Sequence, residues 1–273
     1  MALAFAAAVA LNGAYLMQHA GSSSMMAIDV RRPVATLSAL VRSPLWTLGS
    51  VIGMSGWALH IGALHEAPLS LVQACLAGGL ALAAPMAAIG LRQRLVRSET
   101  QALAIMVVAL LLLSLGLTAN RHAAFQALPL AACIGVLAVA AIGLAVRARG
   151  EPVMLGTAAG LLYGTADLTL KAVTGLSFER ILATPWLAIA LLTSVGAFFA
   201  FQRALQGNRP IAAIAAMTAA TNLSSIAAAF VVFGDPLGRT PWLAAVHVVA
   251  FALVILAAWR LAPAQARLAL AAA

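Results

Sequence analysis

Few residues of this chain are able to do chemistry, and almost all of them lie inside long apolar stretches. Asp167 and Lys171 are four apart in LLYGTADLTLKAV, so a helix places them on one face, where they can neutralise each other. Lys171, near the end of its stretch, can equally reach the interface. Asp167 is the only acid well inside such a stretch, which makes it the leading candidate to bind a coupling ion or proton. Tyr163 stands one turn before it on the same face. The densest polar set is in PIAAIAAMTAATNLSSIAAAFVVFG, where Thr218, Thr221, Asn222 and Ser225 fall at i, i+3, i+4 and i+7. Such a stripe of neutral donors and acceptors suits a small polar solute. Its bland reading is interhelical packing, worth about 0.6 kcal/mol per hydrogen bond. Gln73 is expected to face this stripe, and Gly78, Gly79 and Pro85 on the same segment offer local backbone irregularity.

Other chemistries find no residue pattern. There is no Ser/His/Asp set, paired carboxylate, HExxH or phosphate loop, so no enzyme, cofactor or metal centre is expected. His60 and His247 read as hydrogen-bonded structure. Cys75 and Cys133 lack redox or metal spacing and read as small core residues.

The elements that must carry these residues are membrane helices. Hydrophobic residues make up 64% of the chain and charged ones 8%, against about 45–50% and 25% in soluble domains. Residues 101–120 carry no charge, and a span needs about 20 apolar residues. Breaks at charges and Pro/Gly clusters predict nine spans, near 2–20, 45–65, 67–91, 100–119, 124–146, 153–174, 182–203, 210–233 and 241–260. The first reads as a retained span, since it lacks a basic leader. The loop 21–44 is amphipathic enough to lie in the interface. The net charge of +9 forms no nucleic-acid patch. Twelve arginines (31, 32, 42, 92, 94, 97, 147, 149, 203, 209, 260 and 267) fall on one side of the predicted spans, and Arg121, Lys171, Arg180 and Arg239 on the other. The positive-inside rule then puts the N-terminus outside and the C-terminus in the cytoplasm. Composition suggests a bacterial inner membrane.

The chain also repeats. Placing Pro68 on Pro210, a shift of 142, aligns the flanks without a gap: Trp57 meets Phe199, His60 meets Gln202, and Leu95 meets Leu237. LNGAYLMQHAG likewise resembles LYGTADLTLKA around Gly13 and Gly164. The expected organisation is a first repeat over 1–120 (spans 1–4 with loop 21–44), a linker span within 121–150, and a second repeat over 151–273. An odd linker span makes the repeats inverted. The expected fold is therefore an all-α polytopic bundle of two inverted-topology repeats, the architecture of alternating-access carriers.

APLSLVQACLAGGLALAAPMAAIGLRQRLVRSE, followed by an apolar Gly-containing helix, resembles the drug/metabolite transporter (EamA-like) superfamily. The first span and LHEAPLSLVQACLAGG are similar to its nine-span NIPA-like branch, described as magnesium transporters. The pattern departs at Gln93, where the family has an acid, and keeps Asp235 at the matching place in the eighth span. The resemblance implies a central cavity lined by the eighth span.

The function expected from the residues is transport of a small polar organic solute. A magnesium or divalent-cation carrier ranks second, because Mg²⁺ favours several oxygen ligands and the spans offer one acid. A non-transporting membrane scaffold ranks third, and a homodimer stays open. The expected partners are the solute and the lipid bilayer, not nucleic acid.

Overall fold

A computed structural model describes residues 2–22, 32–77, 97–115, 125–174, 176–207, 210–235 and 240–272. All regular structure among them is helical. The helices are α1 (Ala2–Ser22), α2 (Pro33–Val41), α3 (Pro44–Glu66), α4 (described over 69–77), α5 (Arg97–Ser114), α6 (Ala127–Arg147), α7 (Pro152–Val173), α8 (Phe178–Ala183), α9 (Pro185–Leu205), α10 (Pro210–Val232) and α11 (Pro241–Ala272).

Proline sets most of these starts. Pro33, Pro44, Pro152, Pro185, Pro210 and Pro241 each open a helix, where the ring's fixed φ suits the first turn and the missing N–H costs nothing. Three of these starts are also capped by side chains. Ser43 Oγ accepts from Trp46 N at 3.3 Å, a Glu151 carboxylate oxygen from Met154 N at 2.7 Å and Thr240 Oγ1 from Leu243 N at 3.5 Å, satisfying donors that a helix start leaves orphaned.

Among the described residues, five helical stretches are long and apolar enough to cross a membrane: Pro44–Glu66, Ala127–Arg147, Pro152–Val173, Pro185–Leu205 and Ala212–Val232. Their outer faces carry bare aliphatic side chains, as at Leu128, Val136, Val139, Ile142 and Val146 of α6. In water that face would be an aggregation hazard; against lipid it is solvent-matched. The chain is thus a multi-pass helical membrane protein. Each of the nine predicted segments meets a helix, the third described only to residue 77. Two short helices, α2 and α8, occupy stretches read as loops, and α11 runs on past 260 to Ala272. On α2, Val34, Leu37 and Val41 are exposed, in keeping with an interfacial position.

Helix α7 is the centre of the bundle. Its apolar window is 67% buried, against 11% in α6, and it packs along α6, α9 and α10. The α7–α10 contact runs through Gly156, Gly160 and Gly164. A Cβ on these glycines would run into Ala213, Met217 and Ser224 respectively. Small residues four apart let two backbones approach, the usual device of membrane helix pairs. Because Gly156 faces Ala213 and Gly164 faces Ser224, α7 and α10 run parallel. Helices α1 and α3 pack antiparallel, with Gly21 against Trp46 and Gly56 against Leu11. α5 lies on α11, held by His247 Nε2 donating to Leu115 O at 2.8 Å.

Candidate functional site: a buried polar cluster on Asp167

Where α3, α4, α7 and α10 meet, three polar side chains converge on the carboxylate of a fourth, Asp167. His60 Nε2 donates to Asp167 Oδ1 at 3.0 Å, Gln73 Nε2 to Oδ2 at 2.6 Å, and Ser225 Oγ to Oδ2 at 3.4 Å. All four are buried. Three donors suit an ionised carboxylate, which only accepts. Among the described residues, two atoms of the cluster have no partner: His60 Nδ1 and Gln73 Oε1 are buried without a hydrogen bond. Buried polar atoms are nearly always paired, so these two mark unused binding capacity beside the carboxylate. The hydroxyls of Tyr15 and Tyr163 lie within electrostatic range of Asp167. The Tyr15 ring stands edge-on to Phe201, centroids 5.0 Å apart, so α1, α7 and α9 close one wall of the site.

Towards the Glu66 end of α3 lies a charged layer. Lys171 Nζ donates to Leu64 O at 2.7 Å and Ala67 O at 2.8 Å, satisfying carbonyls that the end of α3 leaves free. Asp235 Oδ2 accepts from Ser70 N at 2.9 Å and Ser70 Oγ at 2.8 Å, an anion at the first turn of α4. Burial pushes the Asp235 carboxyl up, opposed by the Ser70 hydrogen bonds and the Lys171 charge. The expected Asp167–Lys171 pairing along α7 does not form. Lys171 is drawn to the carbonyls where the chain breaks between α3 and α4, and Asp167 is satisfied by His60 instead.

At the opposite, Ser43 end of α3 the bonds are made mostly by amides. Gln202 Nε2 donates to Gln18 Oε1 at 2.6 Å, and Trp46 Nε1 to Gln202 Oε1 at 3.1 Å. His19 Nδ1 donates to Leu205 O at 2.9 Å and Gln206 Nε2 to Ser22 O at 3.4 Å.

Of the residues singled out by sequence, the structure brings Gln73, Asp167 and Ser225 into direct contact, with Tyr163 close by. Thr221 Oγ1 sits 3.0 Å from Gly160 O and from Met217 O, so part of the α10 stripe seals the α7 contact. Asn222 is buried and Thr218 half-buried; neither side chain makes a hydrogen bond among the described residues. Gly78, Gly79, Pro85 and Gln93 lie outside the described residues. His60, read from sequence as ordinary structure, is the cluster's link between α3 and α7; its alignment with Gln202 was the signal that marked it. A cleft of about 280 Å³ elsewhere, lined by Gln126, Pro129, Val231, Val232, Phe233 and Gly234, contains no titratable side chain. Comparison with protein-family models, curated proteins and solved structures finds no match.

Proposed function

We propose that the chain is a carrier that moves a small polar organic solute across the membrane by alternating access, with the Asp167 cluster at the seam between two inverted halves. The observation that carries this reading is the buried cluster itself: a carboxylate in a bilayer helix, held from several helices, beside two unpaired polar atoms. Ionisable groups at such depth are costly, and they mark ion or solute pathways.

The helix pairing supports two halves. Exchanging α1 with α7, α3 with α9 and α5 with α11 carries the contacts α1·α3, α3·α7 and α5·α11 onto α7·α9, α9·α1 and α11·α5, all of which occur. Residue order along the bonds sets α3 parallel to α7 and α1 parallel to α9, with α1 antiparallel to α3, which fits opposite directions for the α1/α7 and α3/α9 exchanges. The cross-half bonds follow the same exchange. His60 of α3 reaches Asp167 of α7, and its aligned counterpart Gln202 of α9 reaches Gln18 of α1. Lys171 at the end of α7 holds the last carbonyls of α3, and His19 at the end of α1 holds Leu205 O at the end of α9. Nine spans, the Glu66 end outward and a bacterial inner membrane complete the reading. Thr218 and Asn222, with hydrogen-bonding capacity to spare, are the α10 groups assigned to the solute, beside Gln73, Tyr163, Thr221 and Ser225.

Uptake into proteoliposomes from a panel of amino acids, amines, sugars and nucleosides, with Mg²⁺ included, is the test. At least one organic solute should be taken up saturably, and Asp167→Asn should reduce its uptake at least tenfold. Saturable uptake of Mg²⁺ alone would replace this reading with the divalent-cation carrier. No saturable uptake of any kind would favour the scaffold.

A further inference from the structure

The two cross-half bonds occupy equivalent places, yet one is titratable and the other is not. We infer that the His60–Asp167 bridge is a proton-binding switch, and that this arrangement of the halves closes around one bound proton. The inference rests on the carrier reading and names its coupling ion.

The argument is electrostatic. Asp167 is buried, and among the described residues its only partner able to carry positive charge is His60, from the other half. The other described groups around the pair supply no balance. On α7, Lys171 is committed to Leu64 O and Ala67 O, with Asp235 as its charged neighbour, and Tyr163 is neutral. On α1, Tyr15 faces the site, while His19 is bound to Leu205 O at the far end. α10 brings Ser225, α4 brings Gln73, and the spans of neither contain a charged residue near the site. On α3, His65 and Glu66 are exposed beyond the buried layer.

With one proton shared by His60 and Asp167, the pair is neutral whether written as imidazolium with carboxylate or imidazole with carboxylic acid. Without it, the closed seam buries a lone negative charge, an arrangement proteins avoid. When the halves part, both groups meet water. The proton leaves the imidazole for solvent on that side, and a proton must return before the seam closes again. Protonation and closure are thereby linked. A proton fits better than a metal ion: three donors already occupy the carboxylate, and no group of three or more His, Cys, Asp or Glu side chains gathers there among the described residues. The Gln202–Gln18 bridge has nothing to titrate, so the coupling acts at one bridge only.

Electron-spin distance measurements test this without a known solute. Spin labels go on cysteines replacing the exposed Met54 of α3 and Leu192 of α9, in nanodiscs, with Cys75 and Cys133 replaced by alanine. The expected result is a distance distribution that shifts towards a second, separated population as pH rises, and a shift at least threefold smaller in His60→Gln, where the amide keeps a donor for Asp167. A distribution indifferent to pH, or an equal shift in His60→Gln, overturns the switch. The carrier reading is judged separately by the uptake panel. With a solute found there, an inward proton gradient should accumulate it at least tenfold more in wild type than in His60→Gln. Accumulation driven by Na⁺ and not by pH would overturn the proton while leaving the carrier standing.

Discussion

The two ends of α3 are held to their neighbours by very different chemistry. Near Glu66 the seam is ionic: His60 on Asp167, Lys171 on two carbonyls, Asp235 on the start of α4. Near Ser43 it is an amide chain, Trp46 to Gln202 to Gln18, with His19 on Leu205 O. Topologically the two seams are alike; energetically they are not. Removing one partner of a buried ion pair strands a charge and costs about 3–5 kcal/mol, whereas a neutral interhelical bond in a membrane averages about 0.6 kcal/mol. The ionic seam should therefore dominate stability and respond to pH, while the amide seam acts as a passive clasp.

Breaking that comparison starts with Asp167→Ala, which strands His60 and Gln73. Thermal unfolding in detergent should show a loss of about 3–5 kcal/mol, against about 1 kcal/mol for Gln202→Ala; equal losses would erase the distinction. Lys171→Met comes next, at about 1–3 kcal/mol, since it leaves Leu64 O and Ala67 O unsatisfied. Its deficit should carry a pH signature. Burial raises the Asp235 carboxyl in the folded state, and Lys171 opposes that rise. A raised acid leaves the fold unpenalised below its unfolded value and weakens it as pH climbs towards the folded one. Without Lys171 the rise is greater, so the variant should lie closest to wild type in acid and fall behind as the pH increases. A deficit that is constant from pH 4 to 8 (values set by the carboxylate range, about 4 when unperturbed) would mean that Asp235 does not sense the lysine. The smallest stability change is expected for Asn222→Ala, within about 0.6 kcal/mol, because that side chain makes no hydrogen bond among the described residues. Its uptake should nonetheless fall about tenfold if the amide contacts the solute. A drop in melting temperature with unchanged uptake would return Asn222 to packing.

How much of this was legible depends on the range of each interaction. Helix positions were, because prolines and charges punctuate the apolar runs locally: Pro44, Pro152, Pro210 and Pro241 begin helices within a residue or two of the predicted limits. That Asp167 would need polar partners was legible from depth alone. Its partner was not, since His60 lies 107 residues away, and the local rule of four-residue spacing pointed to Lys171 instead. That rule failed because unsatisfied carbonyls at a broken helix outcompete a carboxylate that already has three donors. Helical spacing put the α10 stripe on one face, but hydropathy could not say what it meets; Thr221 turned out to lie on Gly160 O. The spacing of Gly156, Gly160 and Gly164 was visible in the sequence, yet its meaning depended on knowing that α10 is the neighbour.

That glycine face also bears on how the chain is made. Asp167 and Lys171 would each cost about 3 kcal/mol at the centre of a lone helix leaving the translocon. By the time α7 emerges from the ribosome, α3 and α4 have been synthesised and can offer His60, Gln73 and the carbonyls of Leu64 and Ala67. The glycine face has no such early partner, for α9 is made before α10 arrives to cover it. A nascent chain halted after α9 would thus hold α7 by its charges with one flank open to lipid, and α10 would be the last of α7's partners to lock in.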